Sequence, residues 1–289
     1  MSEIKIKRIP QRGQVLVPET HANGVPYLFA PGFDRAGGVR HAFSTRLGGV
    51  STGPWSTMNL SFTRGDDEAA VHENFKRMAE VISAKEEDIV CAFQTHTSNI
   101  RTVTAADRGK GVTRKREYTD VDGLVTDEPS VTLCIRMADC VPLLFADPEK
   151  KAIGMAHAGW RGSVLGIGSG VVKTMGENYG TRPEDLYAVI GPSICGSCYE
   201  VGEDVASGLR DHAGVTVAEK VLTHEEGMED GKYLLDLHLL NLLLLKEAGV
   251  PEDHIFVTDV CTKCNPSLLF SHRVMGEQRG NLAALLKLA

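Results

Sequence analysis

Apolar positions along the chain fall into short runs divided by turn residues, and the period of the runs changes repeatedly. Between Asp67 and Ser83, the residues Val71, Phe75, Met78, Ala79 and Ile82 recur at three- and four-residue spacing. With Asp66 or Asp67 available as a cap, this spacing predicts a helix. "QVLVPE" and "VPYLFA" read as strands, and Gly48–Gly49 of "HAFSTRLGGVS" marks a tight turn. "DIVCAFQTH" reads as a strand ending at His96, and "VDGLVTD" as a short turn-bounded segment. "SVTLCIRMADC" alternates, "VPLLFADP" is almost continuously apolar, and "KAIGMAHAGW", "DLYAVIGPSI" and "HIFVTDVCT" add further strands. "RGSVLGIGSGVVKTMGENYG" turns into a helix with Gly166, Gly168 and Gly170 in its interior, a cost in propensity that implies a packing or functional reason. "YLLDLHLLNLLLLKEAGV" reads as a buried helix ending near Gly249–Val250–Pro251. Strands alternate with helices, yet several strands follow one another directly. This predicts an α/β fold of layered mixed sheets flanked by helices. No repeat or linker divides the chain, so residues 1–289 are expected to form a single domain.

Composition narrows the function classes. The chain of 289 residues is 42% hydrophobic and 24% charged, with a net charge of −7. An acidic balance argues against a nucleic-acid polymer as partner. The basic run "RGKGVTRKRE" reads as a solvated loop. No apolar run reaches the roughly 18 residues of a membrane span. "MSEIKIKRIP" lacks the apolar centre of a signal peptide, and seven cysteines, an odd number, suit a reducing compartment. The expected location is cytoplasmic, with no membrane partner, and the expected assembly is a monomer or small homo-oligomer.

His96, Cys140 and His157 each stand at a predicted strand end, where a rigid scaffold exposes a side chain. Three readings stay open for them. They could be a core cysteine with two hydrogen-bonded histidines, a Cys–His nucleophile pair, or three ligands of an open zinc site with room for an acidified water. After His157, "GWRGS" sets Arg161 among small residues at the mouth of a helix, which could be an anion seat or a close-packed turn. Two further pairs, Cys195/Cys198 of "CGSC" and Cys261/Cys264 of "CTKC", could make a closed Cys₄ zinc site. Their separation of roughly 60 residues argues against it, since ribbons space such pairs by roughly 15–20. Cys91 and Cys134 lie in apolar strands and read as core.

"FSTRLGGVS", "NLSFTRGDD…VHEN", "QTHTSNI", "DGLVTD", "MADCVPLLFAD", "AHAGWRG", "IGPSICGSCYEVG" and "CTKCNPSLLFSHR…RGNLA" follow in order. From about Phe43 onward the chain thereby resembles the YfiH family, also called the laccase-domain or multicopper polyphenol oxidoreductase family. The resemblance implies a layered α/β fold related to cytotoxic-necrotizing-factor-type cysteine hydrolases. It also implies a His–Cys–His site, usually zinc, on His96, Cys140 and His157. The implied activity is phosphorolysis of adenosine, inosine, guanosine and methylthioadenosine, with adenosine deamination, so purine nucleosides and phosphate are the expected partners. The older naming implies a copper polyphenol oxidase, which makes copper the alternative metal. The ten scattered histidines, with no His-x-His, suit a true multicopper centre poorly. A hydrolase using Cys140 and His157 is the other rival. Thr97 and His272 depart from commoner residues of the pattern, and the second cysteine of "CTKC" looks extra.

For phosphorolysis, Arg161 is the candidate phosphate ligand, with Arg46 and Arg64 as helpers. Gln94 would share a strand face with His96 and could orient a ligand or touch substrate. Asp122 and Glu200 are candidate partners of the histidines or proton carriers, and Tyr199 a candidate pocket wall.

Overall fold

The computed structural model describes residues 4–10 and 12–289. Its strands are Val17–Thr20 (β1), Pro26–Phe29 (β2), Val39–Ser44 (β3), Ile89–Cys91 (β4), Ile100–Thr102 (β5), Gly123–Thr126 (β6), Thr132–Met137 (β7) and Val141–Asp147 (β8). They continue with Ala152–Ala158 (β9), Tyr187–Ile190 (β10), Glu200–Gly202 (β11), Leu222–Thr223 (β12), Lys232–Leu235 (β13), Ile255–Val257 (β14) and Leu282–Leu288 (β15). The helices are Glu68–Val81 (α1), Trp160–Val164 (α2), Ile167–Tyr179 (α3), Glu203–Ala213 (α4), Val215–Val221 (α5), Leu237–Glu247 (α6) and His272–Met275 (α7).

Two six-stranded sheets, in orders β1-β2-β3-β15-β7-β4 and β14-β10-β8-β9-β6-β5, stack face to face, and a three-stranded sheet β11-β13-β12 stands beside them. Both large sheets are mixed, with β4/β7, β5/β6 and β10/β14 parallel among antiparallel neighbours. Their central strands are apolar on both faces because both faces are covered. In β15, Leu282, Ala284 and Leu286 pack between the sheets while Ala283 and Leu285 meet α1. In β8, Leu144 and Ala146 face the first sheet while Val141, Leu143 and Phe145 face α3 and α6. Helix, sheet, sheet, helix is therefore the order of layers, as the run pattern implies. Cys91 and Cys134 are fully buried, in keeping with their reading as core.

Local chemistry sets the boundaries. The Asp67 carboxylate accepts the N–H groups of Ala69 and Ala70, so α1 starts where its spacing predicts. The glycine-bearing helix is two helices, because Gly166 (φ 77°) breaks it between α2 and α3. Gly168 and Gly170 are packing residues: a Cβ would stand 3.1 Å from Leu245 and 2.8 Å from Ile100 respectively. The apolar stretch expected to be one helix from Tyr233 splits at Asp236. Its carboxylate caps α6 by accepting the His238 and Leu239 N–H groups, while residues 232–235 pair with β11 and β12. The basic run at 108–117 is not freely solvated. Lys110 pairs with Asp107 and Glu117, Arg108 with Asp88, and Arg116 covers the Phe93 ring. No helix among the described residues is long and apolar enough to cross a membrane.

Candidate metal centre and substrate cleft

Two loops and a strand end bring the three candidate residues together. The strand expected to reach His96 ends at Cys91, and His96 stands in the loop beyond it with φ 66°. Cys140 lies between β7 and β8, and His157 near the end of β9, paired with Pro142 across the ladder. The donor atoms of His96, Cys140 and His157 all lie within 4.8 Å of one another, with Cys140 Sγ 3.9 Å from His96 Nε2. The two imidazole rings meet at 4.9 Å and 69°. Gly159 makes room for them, since a Cβ there would stand 2.9 Å from His96 Cδ2 and 3.1 Å from Cys140 Sγ.

Asp122, just before β6, organises the centre. Its buried carboxylate accepts the backbone N–H groups of Thr95, His96 and Thr97, the Thr97 hydroxyl at 3.0 Å, and His157 Nδ1–H at 2.8 Å. A carboxylate only accepts, so Nδ1 carries a proton, and a metal would take His157 through Nε2 by displacing the proton that nitrogen binds in the free site. Burial lifts Asp122, but the bonds from His157, Thr95 and Thr97 outweigh it and hold the pKa down to about 2. Burial also lifts the Cys140 thiol, yet the two imidazoles bring it down to about 6. Burial pulls His157 down, but the Cys140 thiolate and Asp122 raise it to about 9. A thiolate beside imidazoles is a donor set suited to zinc, whose bonds of roughly 2.0–2.3 Å can bridge this spacing.

The centre sits at the waist of a two-lobed cleft. One lobe, a cavity of about 320 Å³, is lined by Arg64, Gln94, Arg136, Glu277, Arg279 and Asn281. The other, about 250 Å³, is lined by Trp160, Arg161, Ile194, Tyr199, Leu237 and Arg273. His96, Ala138, Cys140 and His272 border both. In the first lobe Arg64, Arg136 and Arg279 each have a buried Nε with no acceptor. Burial, then repulsion from Arg64, pulls Arg279 down to about 10. Arg64 pairs with Glu277 at 2.9 Å, and the guanidiniums left over give the lobe a positive potential in a protein of net charge −7. In the second lobe burial and the nearby Cys140 sulfur raise Tyr199 to about 12, so its phenol stays a hydrogen-bond donor at neutral pH.

The structure sorts the remaining candidates. Arg64 and Gln94 line the arginine lobe, and Arg161 and Tyr199 the aromatic one. Gln94 also brackets the Arg136 backbone, donating to its carbonyl at 2.5 Å and accepting its N–H at 2.9 Å. Arg46 lies outside both lobes: its guanidinium donates to the Ser56 and Pro266 carbonyls and stacks on Phe270. Glu200 is exposed on β11, with its carboxylate 3.8 Å from Lys232 Nζ, and does not reach the histidines. Sequence reasoning passed over Arg136, Arg279 and Trp160 as cleft residues, although Arg279 and Trp160 stand inside the quoted motifs and Arg136 directly precedes one. His272, whose role the sequence left open, borders both lobes. The cysteines of the two CxxC pairs, separated by the spacing argument, lie together: all four sulfurs are within 4.8 Å of one another.

Residues 40–289 match the family model described as multi-copper polyphenol oxidoreductase laccase. The chain is 40% identical over 235 residues to purine nucleoside phosphorylase YlmD of Bacillus subtilis, covering 80% of this chain and 82% of that one. It is 40% identical over 267 residues to a purine nucleoside phosphorylase of Deinococcus radiodurans, covering 92% and 94%. Among solved structures, the hypothetical protein YfiH of Bacillus licheniformis superposes with a TM-score of 0.85 at 35% identity, covering 91% of this chain and 96% of that one.

Proposed function

Since the chain belongs to the multi-copper polyphenol oxidoreductase laccase family, the YfiH family of the sequence resemblance, we propose that it is a zinc-dependent purine nucleoside phosphorylase. The observation that carries the reading is the division of labour along one cleft. Three arginines, each with a stranded Nε, line one lobe, aromatic and apolar side chains with Arg161 and Arg273 line the other, and a nitrogen–sulfur donor set stands between them.

Phosphorolysis needs an anion on one side of ribose C1′ and the departing purine on the other. Arg64, Arg136 and Arg279 are the phosphate ligands in this reading, because phosphate oxygens would satisfy their stranded Nε groups and relieve their mutual repulsion. Arg161, on the far lobe, then serves the nucleoside side. Trp160 and Tyr199 each carry a guanidinium over one ring face, Arg161 at 5.0 Å and Arg273 at 5.2 Å, so a purine would stack on the other face or take the place of the guanidinium, worth about 1–3 kcal/mol per base in comparable sites. The Tyr199 phenol can donate to a base nitrogen. Asp122 holds His157 in one tautomer and shapes the 95–97 loop that presents His96. Zinc, held by His96, Cys140 and His157, would supply Lewis acidity beside the substrate.

Adenosine deamination is the second activity the site supports, because three donors rather than four face an open cleft with room for water beside the purine. A copper polyphenol oxidase of multicopper type is less well supported: among the described residues no second cluster able to hold a metal contains a histidine. The bonded pair Asp122–His157, with the Cys140 sulfur within 4.8 Å of the imidazole, also suits a cysteine hydrolase, which would work without metal.

The test is to incubate zinc-loaded and chelator-stripped protein with adenosine or inosine and phosphate, then separate the products. Release of adenine or hypoxanthine that requires both zinc and phosphate, and that Cys140→Ala abolishes, is expected. No base and no inosine from the loaded protein would overturn the reading. Activity confined to stripped protein would favour the hydrolase.

A further inference from the structure

We propose that Cys195, Cys198, Cys261 and Cys264 form a second, closed metal site, a tetrathiolate that holds a structural zinc ion apart from the His96–Cys140–His157 centre. The topology explains why two pairs so far apart in sequence can meet. Strands β10 and β14 are parallel neighbours, Ala188 opposite Ile255 and Ile190 opposite Val257, so their chains leave the sheet at the same edge. The pairing continues past the strands: Ser193 bridges Cys261, and the Thr262 N–H donates to the Ser193 carbonyl at 3.1 Å. This pairing brings CGSC beside CTKC, where the Cys195 N–H meets Cys261 Sγ and Cys198 Sγ meets Cys264 Sγ.

The four sulfurs lie within 4.8 Å of one another, and Cys198 Sγ is 3.5 Å from Cys264 Sγ. Zinc–sulfur bonds of about 2.3 Å in a tetrahedron need sulfurs just under 4 Å apart, so small inward shifts close the site. Cys195 and Cys261 are buried and Cys198 and Cys264 half-buried, which gives an ion a route in while shielding it afterwards. The surroundings suit thiolates. The Cys195 N–H donates to Cys261 Sγ at 3.3 Å, and the Lys263 ammonium lies against the Cys198 carbonyl at 3.3 Å. Four sulfurs complete the shell and leave no open position, the mark of a structural site.

The site buttresses the cleft. Between its two loops lies Asp139, the neighbour of Cys140, held with φ 87°. The Ile194 N–H donates to its carbonyl at 3.0 Å, and the Thr262 hydroxyl to its carboxylate at 2.6 Å. Ile194 and Tyr199 also line the aromatic lobe. An ion on the four cysteines would thus fix the wall that carries Cys140.

The test uses the full chain carrying His96→Ala and Cys140→Ala, so that the first centre cannot hold metal, purified with reductant and zinc. Elemental analysis and native mass should find one zinc per chain, and adding Cys198→Ser and Cys264→Ser should remove it. Should those serines prevent folding, cobalt exchange into the four-cysteine protein decides, with intense thiolate-to-cobalt charge-transfer absorption expected. Chelation should lower its Tm and speed proteolysis near Cys198. A zinc-free protein with four freely titrating thiols, or a mass lighter by the two hydrogens of a Cys198–Cys264 disulfide, would overturn the proposal.

Discussion

Replacing Asp122 by Asn changes one atom of the side chain yet disturbs all five of its hydrogen bonds. Oδ1 accepts the His96 N–H at 3.1 Å and His157 Nδ1–H at 2.8 Å, while Oδ2 accepts the Thr95 and Thr97 N–H groups and the Thr97 hydroxyl at 3.0, 2.9 and 3.0 Å. An amide has one acceptor oxygen, so in either orientation its NH₂ group faces at least two donors. The less costly orientation turns the nitrogen toward His96 and His157. Each donor deprived of its acceptor costs about 1–3 kcal/mol, and losing the charge adds to that, so a destabilisation on the order of 3–5 kcal/mol is expected. His157 can accommodate the amide only by moving its proton to Nε2, the nitrogen left for metal. Loss of such an orienting partner weakens metal affinity by about 10–100-fold. Denaturant unfolding and zinc competition against a chelator, each on wild type and Asp122→Asn, measure the two effects separately. An unchanged unfolding midpoint together with wild-type affinity would refute the assignment of Asp122 as organiser of the centre.

Arg279→Met should raise the KM for phosphate and cut kcat/KM by about 10–100-fold, the worth of one charge-assisted bond to an anion. Its Tm should change little, because the guanidinium is buried beside Arg64 with its Nε unpaired and bonds only the Gly280 carbonyl and Asn281 side chain next to it in sequence; a normal phosphate KM would place the anion elsewhere. Gly159→Ala should weaken chelator-competed zinc binding, since the new Cβ meets His96 and Cys140 at 2.9 and 3.1 Å, and overpacking should cost about 1–3 kcal/mol in unfolding. Acid should destabilise the fold through His41, whose Nε2 accepts the Ala30 N–H at 2.9 Å and must stay unprotonated. Burial lowers its folded pKa to about 4 from 6.5, so its stabilisation is complete above pH 6.5 and falls by roughly 3 kcal/mol as the pH drops to 4. His238, lowered by burial to about 3, adds slope in the same window, so His41→Gln should flatten only part of the curve; an unchanged slope would remove His41 as a cause.

Much of the architecture is legible in the chain because burial on both faces leaves a local record. The near-continuous apolar runs of β8 and β9 announce covered strands, and the spacing from Val71 to Ile82 behind Asp67 announces α1. The donor types of the candidate metal centre are legible too, since His96, Cys140 and His157 stand in motifs whose order points to them. Spacing fails where an element depends on a partner elsewhere. Periodicity does not distinguish residues 232–235 from a helical turn, because β11 and β12 supply the pairing that makes them a strand. It does not separate Arg46, taken up by carbonyls, from Arg136 and Arg279, which the sheets gather beside Arg64 with each Nε buried and unpartnered. The two CxxC pairs make the point most sharply. Sequence distance argues that they are strangers, and the parallel pairing of β10 with β14 makes them neighbours. Local pattern determines what each segment buries; which edges meet is a property of the whole sheet, and both candidate metal sites depend on it.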